Sequence, residues 1–100
     1  AREYIESNLS GDLSIENISK ATNISRSVLY RNFSYHHGMT VSEYINSLRL
    51  NFIANMLHNS NYSIAQIVFD SGFNNISWAS ECFKQKYGAT MREYRQKTLD

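Results

Sequence analysis

The sequence predicts an all-α fold of seven helices, with two helix-turn-helix subdomains joined by a long central helix. Three observations carry that expectation. Apolar residues recur at spacings of three and four, as in Val41, Tyr44, Ile45, Leu48, Phe52 and Met56, which is the stripe of an amphipathic helix. Proline is absent, glycine occurs four times, and no Asn-Gly or Asp-Gly pair marks a hairpin. One phrase, Gly-x-Thr-x-x-Glu-Tyr, is written twice, as GMTVSEY at 38 to 44 and GATMREY at 88 to 94.

The helices are expected at about 1–9, 14–21, 25–36, 41–58, 63–71, 75–86 and 91–97. The second begins where Ser14 precedes Ile15, with Asn17 three residues on, and its stripe is Ile15, Ile18 and Ala21. The third follows Ser25, an expected N-cap, and should bury Val28, Leu29 and Phe33. The fourth opens on the capping box of Thr40 and Glu43, in which each side chain bonds the other residue's backbone N–H. Ser63 with Gln66 reads as another box, and Thr90 with Glu93 as a third. The sixth helix should bury Ala79, Cys82 and Phe83, with Tyr87 close behind. Gly38 and Gly88 fall just past a stripe, where a left-handed C-cap is wanted. Each copy of the phrase is thus a helix stop followed by a helix start. Its Tyr should pack back onto the preceding unit.

The repeat reaches further back. At offset fifty Leu29 falls on Ala79 and Phe33 on Phe83; nearer the start the offset is 49, with Ser14 on Ser63 and Ile18 on Ile67. The repeated unit is a short helix, a turn, and a longer helix. In the turn Asn23 and Gly72 supply the residue tolerant of positive φ, and Ile24 and Phe73 the apolar plug. That is a helix-turn-helix, whose second helix reads the major groove with its N-terminal residues. The expected domains are 1–38 and 60–100, two helix-turn-helix subdomains, with a linker helix at 39–59. A linker of about 18 residues spans roughly 27 Å. That length suits two recognition helices in successive major grooves.

Composition excludes several classes. Hydrophobic residues make up 42% and charged residues 19%, so the chain can build a core and is not a disordered tail. No apolar run is long enough to cross a bilayer, and no signal peptide is evident at the start. A single cysteine, Cys82, cannot form an internal disulfide and fits a reducing, cytoplasmic setting. The net charge of +1 hides an asymmetry: residues 1–22 carry −2 and residues 23–100 carry +3, a weak pointer to a polyanion. No glycine-rich phosphate loop, nucleophile elbow or paired-carboxylate pocket is present. His36, His37 and His58 lack ligand partners at metal spacing and suit helix C-termini instead. Neither a catalytic residue, a cofactor nor a metal is expected.

The stretches SIENISKATNISRSVLYRNF, GMTVSEYINSLRL, SIAQIVFDSGF and CFKQKYGATMREYR resemble the DNA-binding domain of the AraC/XylS family of bacterial transcription regulators. The resemblance covers nearly the whole chain. It implies a seven-helix domain, no enzymatic activity, double-stranded DNA as partner, and a separate sensing or dimerisation domain outside this chain. The sequence departs from the family where Val41 and Met91 replace a frequent Pro. It departs again where Trp78-Ala79 replace Tyr-Phe and Glu81 replaces Arg. A carboxylate at 81 repels phosphate but can accept from the cytosine N4 amine.

Resemblance and helical facing together mark Arg26, Ser27, Tyr30 and Arg31 in the first unit, and Ile76, Ser77, Ser80 and Glu81 in the second, as base-reaching residues. Arg31 is the leading candidate, because its planar fork matches guanine O6 and N7. Ser14, Ser25, Ser63, Trp78, Lys84, Lys86 and Thr90 are the expected phosphate contacts. The function expected is sequence-specific DNA binding in transcription regulation. The alternative is a helical protein-interaction module docking another regulator or RNA polymerase.

Overall fold

The computed structural model describes residues 2–9, 11 and 13–99, with the side chains of residues 2, 36, 37, 98 and 99 outside the description. Among the described residues there are helices and no strands. The helices are α1 (Arg2–Ser7), α2 (Ile15–Thr22), α3 (Arg26–His37), α4 (Val41–Asn59), α5 (Ile64–Ser71), α6 (Ile76–Tyr87) and α7 (Met91–Leu99). α1 is shorter than expected. Asn8 ends it by donating both its backbone N–H and its side-chain amide to the Tyr4 carbonyl, at 3.1 and 2.9 Å, so the side chain takes up an acceptor at the helix end.

The starts follow their caps. Ser14, Ser25 and Ser63 accept from the backbone N–H of Asn17, Val28 and Gln66. Thr40 and Glu43 form the reciprocal box, with Thr40 N donating to Glu43 Oε1 at 3.0 Å and Glu43 N to Thr40 Oγ1 at 3.1 Å. Thr90 and Glu93 repeat it at 2.9 and 3.1 Å. Ser63 and Gln66 make only half a box: the Gln66 amide donates instead to Asp70 Oδ1 at 2.9 Å, one turn further on. The carboxylate at i+4 is a strong acceptor for the amide N–H, and bonding it turns the side chain away from the Ser63 backbone N–H. The stops use positive φ at Asn23 (57°), Gly38 (64°), Gly72 (100°) and Gly88 (74°), where a Cβ is costly.

The chain divides into two compact units, residues 1–48 and 49–100, with the boundary inside α4. The first unit buries Ile5, Leu13, Ile18, Leu29, Phe33, Val41 and Ile45. The second buries Leu50, Ile53, Ala54, Leu57, Ile67, Val68, Phe73, Ala79, Phe83 and Met91. Stripe assignments change in four helices: in α2 Ala21 is exposed, and in α6 Cys82 is only half-buried. In α4 the stripe read through Phe52 and Met56 holds only in the first half; beyond it Leu50, Ile53, Ala54 and Leu57 are buried while Phe52 and Met56 are only partly so. Each half serves its own core, so one continuous period cannot describe both. In α3 Val28 is 37% exposed, leaving Leu29 and Phe33 as the buried pair, because Val28 lies about 100° around the helix from Leu29 and about 140° from Phe33.

The repeated Tyr does what its place suggests. Tyr44 packs on Phe33 with ring centroids 5.2 Å apart, and Tyr94 packs edge-on against Phe83 at 5.3 Å. Both separations suit favourable aromatic pairs.

Candidate nucleic-acid interface

Each unit holds its second helix by the same devices. In the first, Asn23 sits at φ 57° after α2, Ile24 is half-buried behind it, and the Ser19 hydroxyl donates to the Ile24 carbonyl. In the second, Gly72 takes the left-handed position and Phe73 is buried; Ser71 Oγ donates to the Val68 carbonyl at 2.6 Å and accepts from Phe73 N. Ser71 is fully buried and fully bonded, so it stiffens the turn at no desolvation cost. With the turn and the N-cap set, the outward face of α3 or α6 follows from which residues enter the core.

On α3, Leu29 and Phe33 go inward. Arg26, Ser27, Tyr30 and Arg31 are all exposed. At about 100° per residue these four span an arc of about 140°. α6 repeats the arrangement: Ala79 and Phe83 go inward, and Ile76, Ser77, Ser80 and Glu81 are exposed on the corresponding arc, with Lys84 also on it. The structure therefore brings together, within each unit, all the residues expected to reach bases. Arg26 is not isolated: its Nη2 donates to Glu16 Oε1 on α2 at 3.2 Å. The arcs differ in charge, with Arg26 and Arg31 on α3 but Lys84 opposed by Glu81 on α6.

The expected phosphate contacts fall into two groups. Ser14, Ser25, Ser63 and Thr90 are exposed, and each hydroxyl oxygen already accepts a backbone N–H at its helix start, at 3.2, 3.3, 3.1 and 3.1 Å. Trp78 is 50% exposed and lies on the helix beyond Glu81, at the place Val28 occupies in the first unit. Lys84 is exposed. Lys86 lies off the arc: its Nζ donates to Asn51 Oδ1 on α4 at 3.1 Å, and the same oxygen accepts from Tyr87 Oη at 3.0 Å. Burial lowers the Lys86 pKa below the ordinary lysine value, and burial, then the neighbouring Tyr94, raises that of Tyr87. This cluster ties the end of α6 to α4.

Cys82 is half-buried, and burial first and the Glu81 carboxylate second raise its thiol pKa, so it carries little thiolate at neutral pH. Among the described residues no group of three His, Cys, Asp or Glu could hold a metal, and no helix is long and apolar enough to cross a membrane. His58 bonds Tyr94 Oη at 3.3 Å and stacks on its ring edge-on; the side chains of His36 and His37 lie outside the described residues. Some features escaped the sequence reading. Asn75 caps α6 by accepting from Trp78 N at 3.0 Å, a role its alignment with Ser25 at offset fifty would have suggested. Glu16 pairs with Arg26 across ten residues, a spacing that no local pattern signals.

Comparison with known proteins agrees with this geometry. A family profile described as "Helix-turn-helix domain" matches residues 18–97. The regulatory protein PocR of Salmonella typhimurium is 30% identical over 96% of this chain and 32% of its own length. The HTH-type transcriptional activator RhaS of Escherichia fergusonii is 31% identical over 93% of this chain and 34% of its own. The chain thus spans about a third of the length of these curated relatives. A crystal structure of a transcriptional regulator from Chromobacterium violaceum, described as an AraC-type DNA-binding domain-containing protein, superposes with a TM-score of 0.90. It is 29% identical and covers 99% of this chain and 88% of that one. With two tandem units of this build and a profile match across both, the chain belongs to the AraC-type helix-turn-helix family of transcription-regulator DNA-binding domains.

Proposed function

We propose that this chain binds double-stranded DNA in a sequence-specific way to regulate bacterial transcription, with α3 and α6 entering successive major grooves of an asymmetric site. The observation that carries the reading is the outward arc of α3: Arg26, Ser27, Tyr30 and Arg31 all exposed, on a helix seated by Leu29 and Phe33. Donors, a hydroxyl and an aromatic at the N-terminal end of such a helix are the groups that read base edges. Within the division 1–38, 39–59 and 60–100, the first subdomain supplies most of the positive charge facing DNA. The second reads through Ile76 against a thymine methyl and Glu81 against a cytosine amine. A cytoplasmic location and a sensing or dimerisation domain elsewhere in the protein belong to the same proposal, as its relatives are about three times as long.

A second reading has one observation in its favour. Phe69 on α5 is 75% exposed and Tyr62 is 55% exposed, and neither belongs to a base-reaching arc. Such side chains suit a protein contact, with RNA polymerase or another regulator as partner. Selection from randomised duplex DNA, with the winners' affinities measured at two salt concentrations, separates the readings. The expected result is two enriched half-motifs about one helical turn apart, with affinity falling steeply as salt rises. No enrichment at any salt would refute the DNA reading and leave the protein contact.

A further inference from the structure

We propose that Glu16, on the first helix of the first unit, is a positioning residue for DNA readout: it holds one arm of Arg26 and so turns a general phosphate clamp into a directional base reader. The inference deepens the proposed function and rests on it.

Arg26 occupies the first position of α3, and no acidic residue stands in that helix's first turn. A lone guanidinium there would face the positive end of the helix dipole and sample many rotamers. On a basic surface its five donors would take whichever phosphate came first. Glu16 changes both conditions. Its Oε1 accepts from Arg26 Nη2 at 3.2 Å while both side chains stay more than half exposed, at 62% and 59%. The pair therefore fixes the direction of the guanidinium without burying it, and the other donors remain at the surface. The carboxylate beside it also repels any phosphate that approaches the same fork, whereas base edges carry no net charge.

The frame that carries the pair is rigid. Asn23 in the left-handed conformation, the Ser19 hydroxyl on the Ile24 carbonyl and the Ser25 cap set α3 against α2. The second unit supplies an internal comparison. At offset 49 Glu16 falls on Ala65, and at offset fifty Arg26 falls on Ile76. Both charges are absent together in the unit whose first recognition position is apolar. An exposed ion pair of this kind contributes little to stability, so stability alone gives it no reason to be present in one unit only.

The test measures Glu16→Gln, Arg26→Ala and the double variant on the selected duplex, on its single-base variants and on unrelated duplex, across a salt series. Glu16→Gln is expected to tighten binding to unrelated duplex and to steepen the salt dependence by about 0.9 in the log–log slope, one added phosphate contact. It should also erode the preference at the base pair that Arg26 reads by about threefold or more. In the Arg26→Ala background the same change should have no effect on preference or slope. A merely structural Glu16 would shift the melting temperature and leave preference and slope alone, which overturns the proposal, as does an effect that persists without Arg26. If the unaltered chain itself prefers no duplex, the DNA reading fails first and the proposal falls with it. Selective binding that Glu16→Gln leaves untouched overturns the proposal alone.

Discussion

Replacing Arg31 by alanine separates a base reader from a charge on a surface. Arg31 is exposed on α3, and its guanidinium has no ion-pair partner among the described residues. Its removal opens no cavity and strands no partner, so folding stability should change by about 0.5 kcal/mol or less. The whole effect should therefore fall on binding. If the fork takes guanine O6 and N7, the loss is about 1–3 kcal/mol on the selected duplex, or roughly 5- to 150-fold in Kd. It should nearly vanish on duplexes in which that base pair is already changed. Because no phosphate contact is lost, the log–log salt slope should stay put between about 50 and about 200 mM salt. Fluorescence anisotropy on labelled duplexes, wild type and single-base variants, at those two salts reads all three quantities. A loss uniform across sequences, with a slope shallower by about 0.9, would show a phosphate contact and refute the base-reading role. No loss on any duplex would take α3 out of the reading surface at that position.

Other expectations follow from particular contacts. Gly88→Ala should cost about 1–2 kcal/mol in a denaturant melt, all of it backbone strain at φ 74°, since a Cβ there meets nothing within 4 Å; Gly88→Asn should recover much of the loss, and equal stability of both variants would refute that account. Phe83→Ala should cost about 3–5 kcal/mol, because the ring is fully buried between Tyr87 and Tyr94; Trp78→Ala, at a half-exposed ring, should leave the melting temperature almost unchanged while weakening DNA binding. The carboxyl pKa values of Glu43 and Glu93 are lowered, first by the backbone N–H of Thr40 and Thr90 and then by their hydroxyls. A depressed folded pKa means stability that is present above the ordinary carboxylate range and lost as pH falls through the lowered value. Urea midpoints taken from neutral pH down to about pH 3 should fall less steeply in Glu43→Gln and Glu93→Gln, whose amides keep the hydrogen bond but carry no titrating charge; an unchanged profile would refute the linkage.

Much of this protein was legible in one dimension because its signals are local. Caps lie three residues from the N–H groups they serve, and a left-handed stop needs a particular residue at one position, so the starts at Ser14, Thr40 and Thr90 and the stops at Asn23 and Gly88 could be read directly. The doubled phrase added a second reading of the same unit, and both Tyr–Phe pairs lie where it put them. The outward arcs of α3 and α6 followed once Leu29 and Ala79 were assigned inward, since 3.6 residues per turn then dictates which side chains face out.

The rest depended on what each helix packs against. Val28 is apolar, yet it lies about 100° around the helix from Leu29 and about 140° from Phe33, and it stays 37% exposed. Gln66 left its capping box for Asp70, one turn further on. The stripe of α4 breaks where the helix passes from the first core to the second, between Leu48 and Leu50. Glu16 met Arg26, and Lys86 met Asn51, across separations that no periodicity encodes. The sequence by itself determined which segments are helical, most of their ends and the repeat, because caps and stops rest on interactions within about one turn of the chain. The tertiary structure decided where the α4 stripe breaks and which distant polar groups are paired, because those depend on surfaces that only the folded units bring together.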